Sequence, residues 1–107
     1  MSRPGPTDRE PTWSKWLAQE RGGVAEARTF DGSRVDVLTD QYAIEVEWVK
    51  KWKESIGQAL YYAAAFGRKP GVILLTRGKP REELYYLRCL VVCNKGGICL
   101  ETVSTRG

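Results

Sequence analysis

The chain has 107 residues, with 17 Lys or Arg against 13 Asp or Glu, a formal net charge of +4 and no histidine. That length suits one small domain with a single core, and 42% hydrophobic with 28% charged residues excludes a disordered or fibrous chain. Without histidine, Ser-His and Cys-His nucleophile schemes are excluded, so any catalysis must come from carboxylates, lysines or a metal.

Met1 to Pro11 mixes charges with three prolines and has no hydrophobic segment, so it reads as neither a signal peptide nor an anchor. We expect a flexible tail over 1–11 and one domain over 12–107. No apolar run approaches the roughly 20 residues that span a membrane. A first helix is expected over Trp13–Arg21, capped by Thr12 or Ser14 and stopped by Gly22-Gly23. Trp13, Trp16, Leu17 and Glu20 lie on one stripe of it. Glu20 falls at the C-terminal end, where the helix dipole disfavours an anion, so it either has a partner or is simply solvated.

Three strands follow, Val24–Phe30, Arg34–Thr39 and Tyr42–Val49, joined by tight turns at Asp31-Gly32 and Asp40-Gln41. On the third, Ile44, Val46 and Trp48 point one way and Glu45 and Glu47 the other. Asp36 sits between Val35 and Val37. A two-residue turn at Asp40-Gln41 places Asp36 directly opposite Glu45, with Cβ atoms about 5 Å apart. Two carboxylates so placed are unfavourable unless a cation stands between them. A divalent metal is one candidate, and a neighbouring lysine among Lys50, Lys51 and Lys53 is the other. Trp48 and Trp52 read as core residues, with a dimer interface or base stacking as the alternative.

A helix is expected over Lys53–Phe66, with Ile56, Ala59, Leu60, Ala63 and Ala64 as its packing face and with Gln58 and Tyr62 projecting from one side. Gly71–Thr76 is a continuous apolar run, the mark of a strand buried on both faces. A basic loop spans Arg77–Arg81, a helix runs from Arg81 to about Val92, and a last strand covers Ile98–Val103. Cys89, Cys93 and Cys99 are odd in number with no secretion signal, which leads to reduced thiols in a cytoplasmic protein. The order of elements gives an α/β fold: a mixed central sheet with helices on both faces.

The succession αβββαβ, with Asp36 on the second strand and Glu45-Val46-Glu47 on the third, resembles the PD-(D/E)XK nuclease superfamily. The resemblance covers residues 13–76, and the last helix and strand are additions to that restriction-endonuclease-like core. Gln58-Ala-Leu-Tyr-Tyr62 is similar to the Gln-x-x-x-Tyr helix motif of RecB-type and resolvase-like members. The departure is Glu47, which stands where the family carries lysine; Lys51 is the candidate for a displaced lysine. The resemblance implies a Mg²⁺- or Mn²⁺-dependent endonuclease hydrolysing DNA phosphodiesters, structure-selective or targeted by a partner. RNA is a second polyanion of the same kind, and no organic cofactor is implied. It implies metal ligation by Asp36, Glu45 and the Val46 carbonyl with Glu20 joining, and Lys51 or Glu47 acting on the attacking water. Gln58 is implied at the nucleophile or a backbone phosphate. Tyr62 is implied beside it, with Arg68, Lys69, Arg77, Lys79 and Arg81 on phosphates. Cutting both strands of a duplex implies a homodimer. The alternative is an inactive module of this fold that binds nucleic acid or a protein.

Overall fold

The computed structural model describes residues 1–107. Its elements are α1 (Glu10–Glu20), β1 (Val24–Arg28), β2 (Arg34–Leu38), β3 (Tyr42–Trp48), a 3-10 turn (Val49–Lys51), α2 (Trp52–Phe66), β4 (Lys69–Thr76), α3 (Glu82–Gly96) and β5 (Cys99–Ser104). The five strands form one mixed sheet in the order β1-β2-β3-β4-β5. β1 to β3 are an antiparallel meander, and β3, β4 and β5 run parallel. The α/β class and the layering match the expectation from sequence.

α1 packs on one face of the sheet through Trp13, Leu17 and Ala18, against Val37, Ile44, Val46, Ile73 and Leu75. α2 and α3 cover the other face, where Trp52, Ala59, Cys89 and Cys93 meet Val72 and Leu74. β4 thus sends Ile73 and Leu75 to one layer and Val72 and Leu74 to the other. Side chains this completely buried each contribute about 1.5–3 kcal/mol, which accounts for the absence of any polar residue from Gly71 to Leu75. Cys89 and Cys93 are buried and Cys99 is exposed; none is in a disulfide. β4 begins two residues before the apolar run, because the Lys69 N–H donates to the Gln41 carbonyl at 2.8 Å and so brings Pro70 into the strand. Gly71 sits close to β3, where an added Cβ would stand 3.2 Å from the Ile44 side chain and press it aside by a few tenths of an ångström.

α1 starts at Glu10, three residues before the expected Trp13, and the segment ahead of it is held along the domain. The Trp13 indole N–H donates to the Gly5 carbonyl at 3.0 Å, and Arg77 Nε donates to the Pro6 carbonyl at 3.1 Å. The Arg3 guanidinium lies over Trp13 and Trp16 and donates to the Ser104 carbonyl at 2.5 Å.

Strict alternation on β2 fails at one place. Val37 belongs to the α1 side, whereas Val35 packs with Ala43, Tyr62 and Ala63 on the α2 side. Residues two apart normally share a face. Here the β1–β2 ribbon turns over between the pairs Ala25↔Val37 and Ala27↔Val35, at Glu26, whose φ of 55° is left-handed. The residue opposite Glu26 is Asp36.

Candidate active site

β3 supplies two carboxylates, and β2 supplies the third in the expected register. Val37↔Ile44 and Leu38↔Ala43 put Asp36 level with Glu45. Beyond those two pairs the backbone ladder stops, and side chains bridge the gap. Asp36 Oδ2 accepts the Val46 N–H at 2.8 Å, and Glu45 Oε2 accepts the Asp36 N–H at 3.1 Å. Glu47 Oε1 accepts the N–H of Trp48 at 2.9 Å. Each of the three carboxylates is therefore held by one backbone N–H.

The fourth member is Glu10. It sits in the first turn of α1, where the helix dipole favours an anion. Burial pushes its carboxyl up to about 9, helped by a hydrogen bond with Glu47 and by the charges of Glu47, Asp36 and Glu45. Burial likewise raises Glu45 to about 8, with Asp36 and Glu47 adding repulsion while the Asp36 N–H opposes it. Asp36 rises to about 6, chiefly through burial, against the Val46 hydrogen bond and with the charges of Glu47 and Glu26. Glu45 is only 4% exposed. The one salt bridge of the molecule, Arg21–Glu101, is elsewhere. The cluster is thus acid with no side-chain cation paired to it.

A cleft of about 380 Å³, lined by Thr7 to Pro11, Glu47, Trp48, Lys51 and Arg77, opens at the Glu10 and Glu47 edge of the cluster, and Asp36 and Glu45 lie outside its lining. The third strand ends at Trp48, and the 3-10 turn that follows carries Lys51 to the cleft by a route other than a longer strand. Lys50, one residue earlier, is exposed and outside the lining. The Arg77 guanidinium lies 3.4 Å over the Trp48 ring. In the conformation seen, no three of the acids close on a common point as a finished metal cage. The donor set is nonetheless all carboxylate oxygen, which suits Mg²⁺ or Mn²⁺.

Several expected site residues lie elsewhere. Glu20 is exposed at the far end of α1, about 15 Å from Glu10 at 1.5 Å per residue. Its place in the cluster is taken by Glu10. The signal that could have located it is Glu-Pro at a helix start, where proline suits the first turn. Tyr62 is a core residue packed with Val35, Ala43 and Ala63. Gln58 is exposed one turn before it and does not line the cleft. Arg68 is tied to the Thr39 and Phe66 carbonyls at 3.2 and 2.8 Å, and Lys69 pairs with Tyr42. Both stand at the opposite end of the eight-residue β4 from Arg77, roughly 25 Å away at about 3.3 Å per residue. Lys79 and Arg81 are exposed on the Arg77 side, in a loop pinned by Glu82, whose carboxylate accepts the Arg77 and Lys79 N–H groups.

Fold and site together define an α/β domain with a buried carboxylate cluster at the mouth of a cleft. No family model and no solved structure matches the chain. A putative KilA-N domain-containing protein of Acanthamoeba polyphaga mimivirus is 38% identical to it over 53 residues, half of this chain. The chain spans 15% of that relative's length.

Proposed function

We propose that the chain is a metal-dependent nuclease of PD-(D/E)XK type acting on the phosphodiester bonds of DNA. The observation that carries this reading is the cluster of Glu10, Asp36, Glu45 and Glu47, which has no cationic partner of its own and lies beside a cleft that Glu10 and Glu47 line. Buried like charges are costly unless a cation or protons compensate them. Asp36, Glu45, Glu10 and the Val46 carbonyl would hold the ion. When bound, Mg²⁺ or Mn²⁺ supplies a water of lowered pKa and charge to offset that building on the phosphate.

The remaining steps fall to the chain's own residues. The backbone N–H groups of Asp36, Val46 and Trp48 orient the three strand carboxylates. Lys51, on the rim beside Glu47, supplies a positive charge toward the phosphate and holds the attacking water. Glu47 stands where it can take that water's proton. Arg77, fixed over Trp48, and the exposed Lys79 and Arg81 bring basic charge to the same end of the sheet for the DNA backbone.

The test is incubation of the purified chain with supercoiled, linear, branched and single-stranded DNA in Mg²⁺, Mn²⁺ or EDTA. Cleavage is expected only with metal and is lost in Asp36→Ala and Glu45→Ala; cutting that survives both substitutions rejects the assignment. A second reading is favoured by Glu47 in place of a lysine and by the open arrangement of the acids. It is a nucleic-acid-binding module on the same scaffold, which binds with strong salt dependence, takes up no Mn²⁺ in calorimetry and cuts nothing.

A further inference from the structure

The β1–β2 hairpin ends in a feature that the carboxylate cluster does not use. At its tip Phe30 is 86% exposed, the most exposed aromatic side chain in the molecule. Such exposure would be unremarkable on a loose loop, but this tip is braced. Asp31 Oδ1 accepts the Ser33 N–H at 2.8 Å and the Ser33 hydroxyl at 2.5 Å, and it also bonds the Thr29 hydroxyl. The Tyr61 hydroxyl, from α2, donates to the other Asp31 oxygen. The Thr29 N–H closes the turn on the Ser33 carbonyl at 2.8 Å.

Directly behind the tip, Arg28 and Arg34 are a cross-strand pair. Like charges placed opposite each other on a ribbon are unfavourable, and neither arginine has an acidic partner. Arg28 donates only to the Gly32 carbonyl, at 3.0 Å, and both side chains are exposed. Two repelling cations beside a rigidly held, solvent-facing ring are costly to the free protein and complementary to a polyanion that carries flat rings.

The ribbon turns over at Glu26, so the tip is carried to the α2 side of the sheet, where Tyr61 holds it. β2 is antiparallel to β3, so the Arg34 end of β2 lies at the C-terminal end of β3. Glu47, Lys51 and Arg77 are grouped at that same end.

We infer that the β1–β2 hairpin is a second nucleic-acid contact, in which Arg28 and Arg34 take phosphates and Phe30 stacks on an unpaired base. The inference rests on the polyanion substrate proposed above and narrows it to DNA with a single-stranded or branched segment, because a ring at a tip finds an accessible base face there and not inside a duplex. Tyr61 is the positioning residue, through its hydrogen bond to Asp31.

The experiment measures binding of the full chain to labelled single-stranded, forked and duplex DNA by fluorescence anisotropy, in EDTA and in Mn²⁺, across a salt series. Phe30→Ala is expected to weaken binding to single-stranded and forked DNA about tenfold, with duplex binding unchanged. Phe30→Trp, which keeps the stacking surface, is expected to bind as the native chain does. The double variant Arg28→Ser/Arg34→Ser is expected to lower the slope of log K against log salt by about 0.7–0.9 for each phosphate contact removed. Unchanged affinity and slope in these variants, beside Asp36-dependent cleavage, would overturn the hairpin contact and leave the nuclease reading standing. The expected losses of binding, in a chain that cuts nothing with Mn²⁺, would remove the nuclease reading and support the hairpin. A native chain that binds none of the three DNAs overturns both.

Discussion

Asp36 and Glu45 exchange places across the gap between β2 and β3: the carboxylate of Asp36 takes the Val46 N–H, and the carboxylate of Glu45 takes the N–H of Asp36 itself. Two acids thereby do the bridging that backbone carbonyls do elsewhere in the ladder. The arrangement fixes both side chains, and it confines two negative charges where water is scarce. A cation at this point would relieve the repulsion, and protons do so in its absence.

The pH dependence of stability follows with a definite sign. Free carboxyls titrate at about 3.9–4.3, whereas the folded chain holds Asp36 at about 6 and Glu45 at about 8. Between those limits the folded state binds more protons than the unfolded state, so stability falls as pH rises. The contribution is complete below about pH 4 and is lost progressively up to about pH 9, because Glu10 in the same cluster is held at about 9. Urea unfolding in EDTA should show a loss on the order of a few kcal/mol over that window. Glu45→Gln, which cannot ionise but can still accept the Asp36 N–H, should remove part of the slope above about pH 6, the remainder belonging to Glu10. Mn²⁺ should stabilise the native chain at the alkaline end. A slope indifferent to both changes would mean that these carboxyls do not titrate as a buried pair.

The two ends of α1 make a paired control for the site. Glu10 is in the cluster and Glu20 is about 15 Å away in solvent. Glu10→Gln should reduce metal-dependent cleavage by at least tenfold and weaken Mn²⁺ binding in calorimetry, since a ligand to a catalytic ion is worth several kcal/mol of charge stabilisation. Glu20→Gln should change neither. Equal rates for Glu10→Gln and the native chain would exclude Glu10 from the site.

What the sequence discloses and what it conceals divide along physical lines. The strand positions and the level placement of Asp36 and Glu45 are local consequences of alternation and a tight turn, and they are legible. The helix assignment of Glu10 was hidden because three prolines and mixed charges make Met1–Pro11 look unstructured, and because the contacts that hold it come from Arg77 and Trp13, distant in sequence or on the helix itself. Tyr62 was misplaced because a helical stripe tells which residues travel together, not whether a tyrosine ring points to a core or a ligand. The turnover of β2, which sends Val35 and Val37 to opposite faces, depends on the left-handed backbone of Glu26, and no glycine marks that position. Glu47 and Lys51 would lie about 13 Å apart on a continued strand of about 3.3 Å per residue, yet the 3-10 turn brings both to one cleft.

Lys51 can be tested against its neighbours. Of Lys50, Lys51 and Lys53, only Lys51 lines the cleft with Glu10 and Glu47. Lys51→Met should lower kcat by about 10²–10⁴-fold if it acts on the attacking water. Lys50→Met and Lys53→Met should leave kcat unaltered and change at most the salt dependence of DNA binding. Single-turnover cleavage separates the two effects. A Lys51→Met protein that cuts at the native rate would transfer the role to Glu47.

Arg77 ties the cleft to the segment in front of α1. Its guanidinium lies over Trp48, its Nε donates to the Pro6 carbonyl, and its own N–H is held by Glu82. The aromatic contact is worth about 0.5–2 kcal/mol, and the hydrogen bond to Pro6 about 0.5–1.5 kcal/mol more, or somewhat beyond because the donor is charged. Arg77→Ala should therefore destabilise the chain by about 1–3 kcal/mol and free residues 1–9 from the cleft wall. Hydrogen exchange should report faster exchange at Thr12 and Trp13, whose N–H groups both donate to the Arg9 carbonyl at the end of that segment. Arg77→Lys retains a charge but loses the planar group that lies over the indole, so it should recover DNA affinity and only part of the stability. If Arg77→Ala leaves exchange at the start of α1 unchanged, the segment is held by Arg3 and Trp13 alone.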